Sequence, residues 1–175
     1  VLQRVNDAGL NTQISVKPTQ LGLDLDPNLC LRNLIALTER ASILGNFIWI
    51  DMESSPYVDR TLDLFRRAIA RSPNVGLCLQ AYLYRSAADL EFLLPLGPAI
   101  RLVKGAYMEP PDVAYPRKQD VDVNFYALST RLLSDEARRQ GARLAIGTHD
   151  TRLVEQMQQV IRATGVNRDA YEVEM

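Results

Sequence analysis

The run from Arg101 to Tyr107, RLVKGAY, places two cations, a glycine and a phenol where a short apolar stretch ends. Cations at the tip of a buried strand either meet an anion or carbonyl of a ligand, because an ammonium such as Lys104 is costly to bury uncompensated, or pair with carboxylates at the rim of a sheet. Gly105 lets the backbone turn or approach a flat ligand closely; Tyr107 can stack, donate a hydrogen bond or pack at the rim. Lys17 ends QISVK and precedes Pro18, which turns the chain away, so its amine can take a substrate carboxylate or reach for water. Asp51 ends FIWID; as an acid costly to bury alone it needs a cationic partner, for which Arg101 and Lys104 are the natural candidates. Gln80 ends VGLCLQ, where its amide can bond a ligand or tie two strand ends together. His149, the single histidine, lies in GTHD at a strand-to-helix turn, where backbone N–H groups can face an anion such as a pyrophosphate, or the imidazole simply opens a helix.

One histidine removes any multi-histidine metal site, and Cys30 and Cys78 each stand without a second cysteine nearby, so neither a metal site nor a CxxC motif is expected. A reduced, cytoplasm-like compartment fits such cysteine usage. The balance of 20 basic and 21 acidic side chains lacks the clustered basic excess of a nucleic-acid footprint. No apolar run approaches the length that spans a bilayer, and the first residues lack the pattern of a signal peptide. With 47% hydrophobic residues over 175, the chain suits one globular domain, 1–175. A start at Val1 and a stop at Met175, within an apparent strand, read as a fragment.

The elements that must carry these residues alternate short apolar runs with longer amphipathic ones. Strands are predicted over 13–17, 47–51, 75–80, 99–103, 142–147 and 171–174, all nearly continuous in apolar residues, as parallel strands buried on both faces are. Helices are predicted over 28–44, 57–71, 86–94, 122–140 and 151–164. Asp26 before Pro27 and Ser55 before Pro56 give N-cap signals, Ser86 a capping-box-like turn, and Gly45, Gly141 and Gly165 follow helix ends. The proline-bearing stretch 108–121 is a long loop of the kind that carries function. About six βα-type units fit an α/β fold, either an open doubly wound sheet or most of a TIM-like (βα)8 barrel. Polar strand ends and the lack of GxGxxG favour the barrel.

Taken in order, VKPTQLGL, IDMESSPYVDRTL, LCLQAYLYR, RLVKGAYMEP, DVNFYALSTRLL, IGTHD and YEVEM resemble the proline dehydrogenase (proline oxidase) family, over nearly the whole chain. The resemblance implies a distorted (βα)8 barrel, here partial, with FAD at the carboxyl ends of its strands. It also implies a flavin-dependent oxidoreductase acting on CH–NH donors, of the monofunctional bacterial type or the equivalent domain of a bifunctional enzyme. L-Proline would be oxidised to Δ1-pyrroline-5-carboxylate and the electrons passed to a quinone, with a cytoplasmic protein in peripheral contact with the inner membrane. By similarity Asp51, Arg101 and Tyr107 are catalytic, and Lys17, Asp51 and Tyr107 meet the substrate. Met52, Gln80, Arg101, Val103, Lys104, Gly105, Ala106, Thr148 and His149 match flavin-contacting positions. The family usually has glutamine where Glu174 stands, and its closing strand and last helix, with the arginines that hold the substrate carboxylate, lie beyond this chain. Two other readings remain open from the residues: a Schiff-base lyase acting through Lys104, and a barrel without catalysis.

Overall fold

The computed structural model describes residues 1–174. The chain forms two compact units, Val1–Leu77 and Cys78–Met175, joined within one continuous strand.

In the first unit a short helix, α1 (Leu2–Asp7), precedes β1 (Ile14–Val16), α2 (Pro27–Ile43), β2 (Ile48–Ile50), α3 (Val58–Ile69) and the start of β3 (Val75–Gln80). Both strand pairings are parallel, Ile14 to Ile48 and Ile48 to Val75. Asp26 caps α2 as expected: its carboxylate accepts from the N–H groups of Asn28 (2.9 Å) and Leu29 (3.1 Å), and Pro27 supplies the first helical residue. The second signal works differently. A 3-10 turn over Ser55–Tyr57 leads into α3, and Ser55 lies inside that turn instead of capping the helix. Buried Val58, Leu62, Phe65 and Ala68, three and four residues apart, give α3 one apolar stripe. Trp49 and the flanking Ile48 and Ile50 are fully buried. The Trp49 ring lies over Gly76, its register partner, where a Cβ would fall 2.3 Å from the ring, so the core is cut to a residue without a side chain.

The second unit contains the end of β3, α4 (Ser86–Leu93), β4 (Ala99–Val103), α5 (Lys118–Leu132), α6 (Asp135–Arg139), β5 (Arg143–Gly147), α7 (Thr151–Thr164) and β6 (Tyr171–Glu174). β4, β5 and β6 are parallel neighbours, with Val103 opposite Gly147 and Gly147 opposite Glu174. The strands thus hydrogen-bond in chain order from β1 to β6. Phe125, Leu128 and Leu132 of α5 and Leu153, Met157 and Ile161 of α7 are buried along one helical stripe each.

Three further expectations change. The helix expected over 122–140 is two: Leu133 ends α5, and Ser134 opens α6 by accepting from the Ala137 N–H (3.3 Å). Ser86 is not a cap, since its hydroxyl donates to the Gln80 carbonyl. Among the described strands, burial on both faces holds for β2, β3 and the middle of β5; β4 alternates, with Ile100 and Leu102 buried and Arg101 and Val103 only partly so. That alternation leaves one face of β4 for polar chemistry.

Candidate functional site

In the first unit the parallel register does the positioning. Val16 faces Ile50, so the residues that follow, Lys17 and Asp51, leave adjacent strands side by side. The Asp51 N–H extends the ladder to the Val16 carbonyl (2.9 Å), and the Lys17 ammonium lies 2.8 Å from an Asp51 carboxylate oxygen. The two side chains are 42% and 25% exposed, so the pair is open to a ligand. Beyond it, buried Glu53 accepts from both the Thr19 N–H (3.0 Å) and the Thr19 hydroxyl (2.8 Å), fixing the turn that follows Lys17. Met52 is buried beside them in sequence. Under the same turn, the buried thiol of Cys30 donates to the Pro18 carbonyl, and burial pushes this thiol up to about 11.

In the second unit the polar groups gather at the ends of β3, β4, β5 and β6. Gln80 and Thr148 are buried, Arg101 is mostly buried, and His149 and Tyr107 are exposed. The guanidinium of Arg101 reaches the Glu174 carboxylate, Nε to Oε2 at 2.5 Å and Nη2 to Oε1 at 3.3 Å. β5 lies between their strands, and the bare Gly147 makes room for this reach: a Cβ there would sit 3.4 Å from Arg101 Cγ and 2.9 Å from Val103. Lys104 meets Asp122 and Asp150, each at 2.6 Å. Hydrogen bonds from Lys104 and then from Lys118 hold the Asp150 carboxyl well below the usual range. For Asp122 burial opposes ionisation, but the same two lysines outweigh it.

Gly105 turns the chain with φ +118, and a Cβ there would meet the Tyr82 ring at 2.3 Å. Tyr82 and Ala81 continue the β3–β4 ladder by donating to the Lys104 and Val103 carbonyls, each at 2.8 Å. Burial first, then the Glu109 carboxylate, pushes the Tyr82 phenol up to about 12, so it stays protonated. The loop after Gly105 is pinned back: Tyr115 N–H donates to the Tyr82 carbonyl (2.8 Å), Tyr84 N–H to the Val113 carbonyl (3.1 Å), and the Tyr84 hydroxyl to the Pro111 carbonyl (2.9 Å).

A family model described as proline dehydrogenase matches residues 3–175. The chain belongs to the proline dehydrogenase family. It is 37% identical over 180 residues to the proline dehydrogenase of Deinococcus radiodurans, covering 100% of this chain and 56% of that one. To proline dehydrogenase 2 of Bacillus subtilis it is 36% identical over 171 residues, with 98% and 55% covered, so the chain spans little more than half the length of these relatives. Among solved structures, proline utilization A of Bdellovibrio bacteriovorus inactivated by N-propargylglycine superposes with a TM-score of 0.80 at 24% identity, over 91% of this chain and 19% of that one. A mutant of proline utilization A of Bradyrhizobium japonicum gives 0.81 at 21% identity, over 98% and 21%. The fold is that shared architecture, α/β with six parallel strands of a TIM-like barrel, in part.

The proline dehydrogenase family is FAD-dependent, and the donor set at the strand ends of the second unit fits that group. A guanidinium at Arg101, an amide at Gln80, a hydroxyl at Thr148 and the exposed imidazole of His149 offer both donors and acceptors, as the ring edge of a flavin requires. The Lys104 ammonium is turned into two carboxylates. No His, Cys, Asp and Glu cluster able to hold a metal occurs among the described residues. Sequence reasoning passed over Glu53, Tyr82, Asp122 and Asp150. Glu53 stands two residues past Asp51 and Asp150 directly follows His149, which are the only local signals for either.

Proposed function

We propose that residues 1–175 form part of one FAD-dependent proline dehydrogenase domain, which oxidises L-proline to Δ1-pyrroline-5-carboxylate. The observation that carries this reading is the Lys17–Asp51 pair, in a chain of this family. An amino acid is itself a zwitterion, and a part-exposed ammonium and carboxylate 2.8 Å apart are complementary to its two charges. Lys17 takes the substrate carboxylate and Asp51 orients the ring nitrogen, while Glu53 holds the turn that aims Lys17. Tyr107, exposed on its loop, packs against the bound substrate. Arg101, held by Glu174, brings positive charge to where negative charge develops. When bound, FAD would supply the acceptor for the hydride of the ring carbon next to nitrogen. The carbon–nitrogen double bond forms as the ring nitrogen gives up its proton to solvent water, and a quinone would be the final acceptor of the two electrons. Met52, Gln80, Val103, Gly105, Ala106, Thr148 and His149 line the cofactor.

Quinone reduction implies a cytoplasmic protein in peripheral contact with the inner membrane; no helix among the described residues is long and apolar enough to cross one. A lyase acting through Lys104 needs a free amine lone pair, and this amine is engaged by Asp122 and Asp150.

The test uses the full-length protein. It is expected to be yellow, and anaerobic proline should bleach the flavin band. A colourless protein that borohydride and substrate label on Lys104 would establish the lyase, and a colourless, unlabelled one a barrel without catalysis.

A further inference from the structure

Four side chains of the second unit form a closed ring of alternating charge. Lys104 Nζ lies 2.6 Å from Asp122 Oδ1 and 2.6 Å from Asp150 Oδ2, while Lys118 Nζ lies 2.7 Å from Asp122 Oδ2 and 2.9 Å from Asp150 Oδ2. Three members are well covered, with Lys104, Asp122 and Asp150 at 22%, 14% and 17% exposure; Lys118, at 65%, closes the ring from the solvent side. The members come from three places in the chain: the residue after β4, the first turns of α5, and the residue before α7.

Asp150 shows that the ring has a purpose other than helix formation. It occupies the N-cap position of α7, where an aspartate ordinarily accepts a backbone N–H, yet its carboxylate makes no cap hydrogen bond. The carboxylate is spent on the two lysines, while its own N–H donates to the Thr148 hydroxyl (3.1 Å). Thr148 and His149 are therefore tied through Asp150 to Lys104, and Lys104 carries the backbone into Gly105.

We propose that Asp122 and Asp150 are positioning residues that hold Lys104 as a cross-link between the end of β4 and the Thr148–Asp150 turn, and that the Lys104 side chain serves the cofactor through this cross-link, without touching it. The inference rests on the flavin reading above. The ring is electrically neutral and its central ammonium is already met on two sides, so the lysine has little charge to offer a phosphate. What it supplies is a fixed distance between two backbone segments whose amides and side chains face the ligand, which is preorganisation.

The full-length protein, stripped of flavin, is compared with its Lys104→Met, Asp150→Asn and doubly substituted forms. Two quantities are read: the FAD dissociation constant, from quenching of flavin fluorescence, and amide hydrogen exchange of the flavin-free protein over residues 104–106 and 148–153. Each single change is expected to weaken FAD binding about tenfold, the double change no more than either single one, because groups in one network are non-additive. Exchange should quicken in both segments and stay unchanged over residues 48–50. If Lys104→Met weakens binding as much in the Asp150→Asn background as in the wild type, Lys104 touches the cofactor and the proposal falls. Unchanged exchange in both segments also overturns it. Should Asp150→Asn fail to fold, Asp122→Asn replaces it in the same cycle. A wild type that binds no FAD defeats the functional reading alone, since the exchange measurement still judges the cross-link.

Discussion

The two units treat their strand-end lysines differently. Lys17, in the first, is 42% exposed and paired with Asp51 across adjacent strand ends; Lys104, in the second, is 22% exposed and enclosed by two carboxylates, with a second lysine outside them. A part-open pair can take up a substrate's charges at little cost, whereas a closed ring must be broken before any of its members can bind something new. On the proposed reading, the same residue type at the same kind of position serves binding in one case and rigidity in the other. Burial and partner number decide which.

The largest effect expected is on the turn that carries the closed ring. Gly105→Ala combines a φ of +118 with a Cβ 2.3 Å from the Tyr82 ring, and left-handed strain plus overpacking should cost about 4 kcal/mol in denaturant unfolding. A loss under about 1 kcal/mol would mean that the loop after β4 relaxes freely and that the second unit is no more rigid than the first.

Asp51→Ala should leave flavin bound and stability within about 1 kcal/mol of wild type, because its pair with Lys17 is part-exposed. Proline-driven flavin reduction should fall roughly a hundredfold, the usual effect of losing one preorganised charge. Wild-type reduction rates would place the open pair outside the site.

Acid should separate the two arrangements. Asp122 and Asp150 have carboxyls held below their ordinary range, so the stability they contribute is fully present above the unfolded value near 4 and is lost as pH falls through their lower folded values. In Asp150→Asn the thermal midpoint should depend less steeply on pH over this acid range than in the wild type. Equal slopes would show that the ring contributes nothing to folding.

The smallest effect sets the baseline. Glu91 and Arg131 form a surface pair, Oε1 to Nε at 2.6 Å, remote in character from either arrangement. Glu91→Gln should cost about 0.5 kcal/mol with flavin binding unchanged, and a larger loss would make surface charge, not enclosure, the source of the contrast.

How far the sequence reaches can be seen in particular elements. β3, β4, β6 and α7 occupy the predicted bounds, because their apolar runs end abruptly at polar residues and Gly165 marks the end of α7 with a left-handed φ of 62. The sequence predicts one helix over α5 and α6 because Leu128, Leu132 and Ala137 carry apolar residues across Ser134; the signal for the break is a cap residue within that pattern. Lys17 and Asp51 were each legible as strand-end residues. Their pairing was not, since it depends on Val16 facing Ile50, and strand register leaves no local trace. Asp122 was hidden for a similar reason: it reads as one more charge on an amphipathic helix until the fold brings Lys104 to it.

Trp49 is the single tryptophan of the chain and is fully buried in the first unit. Its indole is therefore an optical label seated in one half of the described chain, and its emission reports melting there. Followed beside far-ultraviolet circular dichroism, which sees helices of both units, it shows without any added dye whether the two halves let go together.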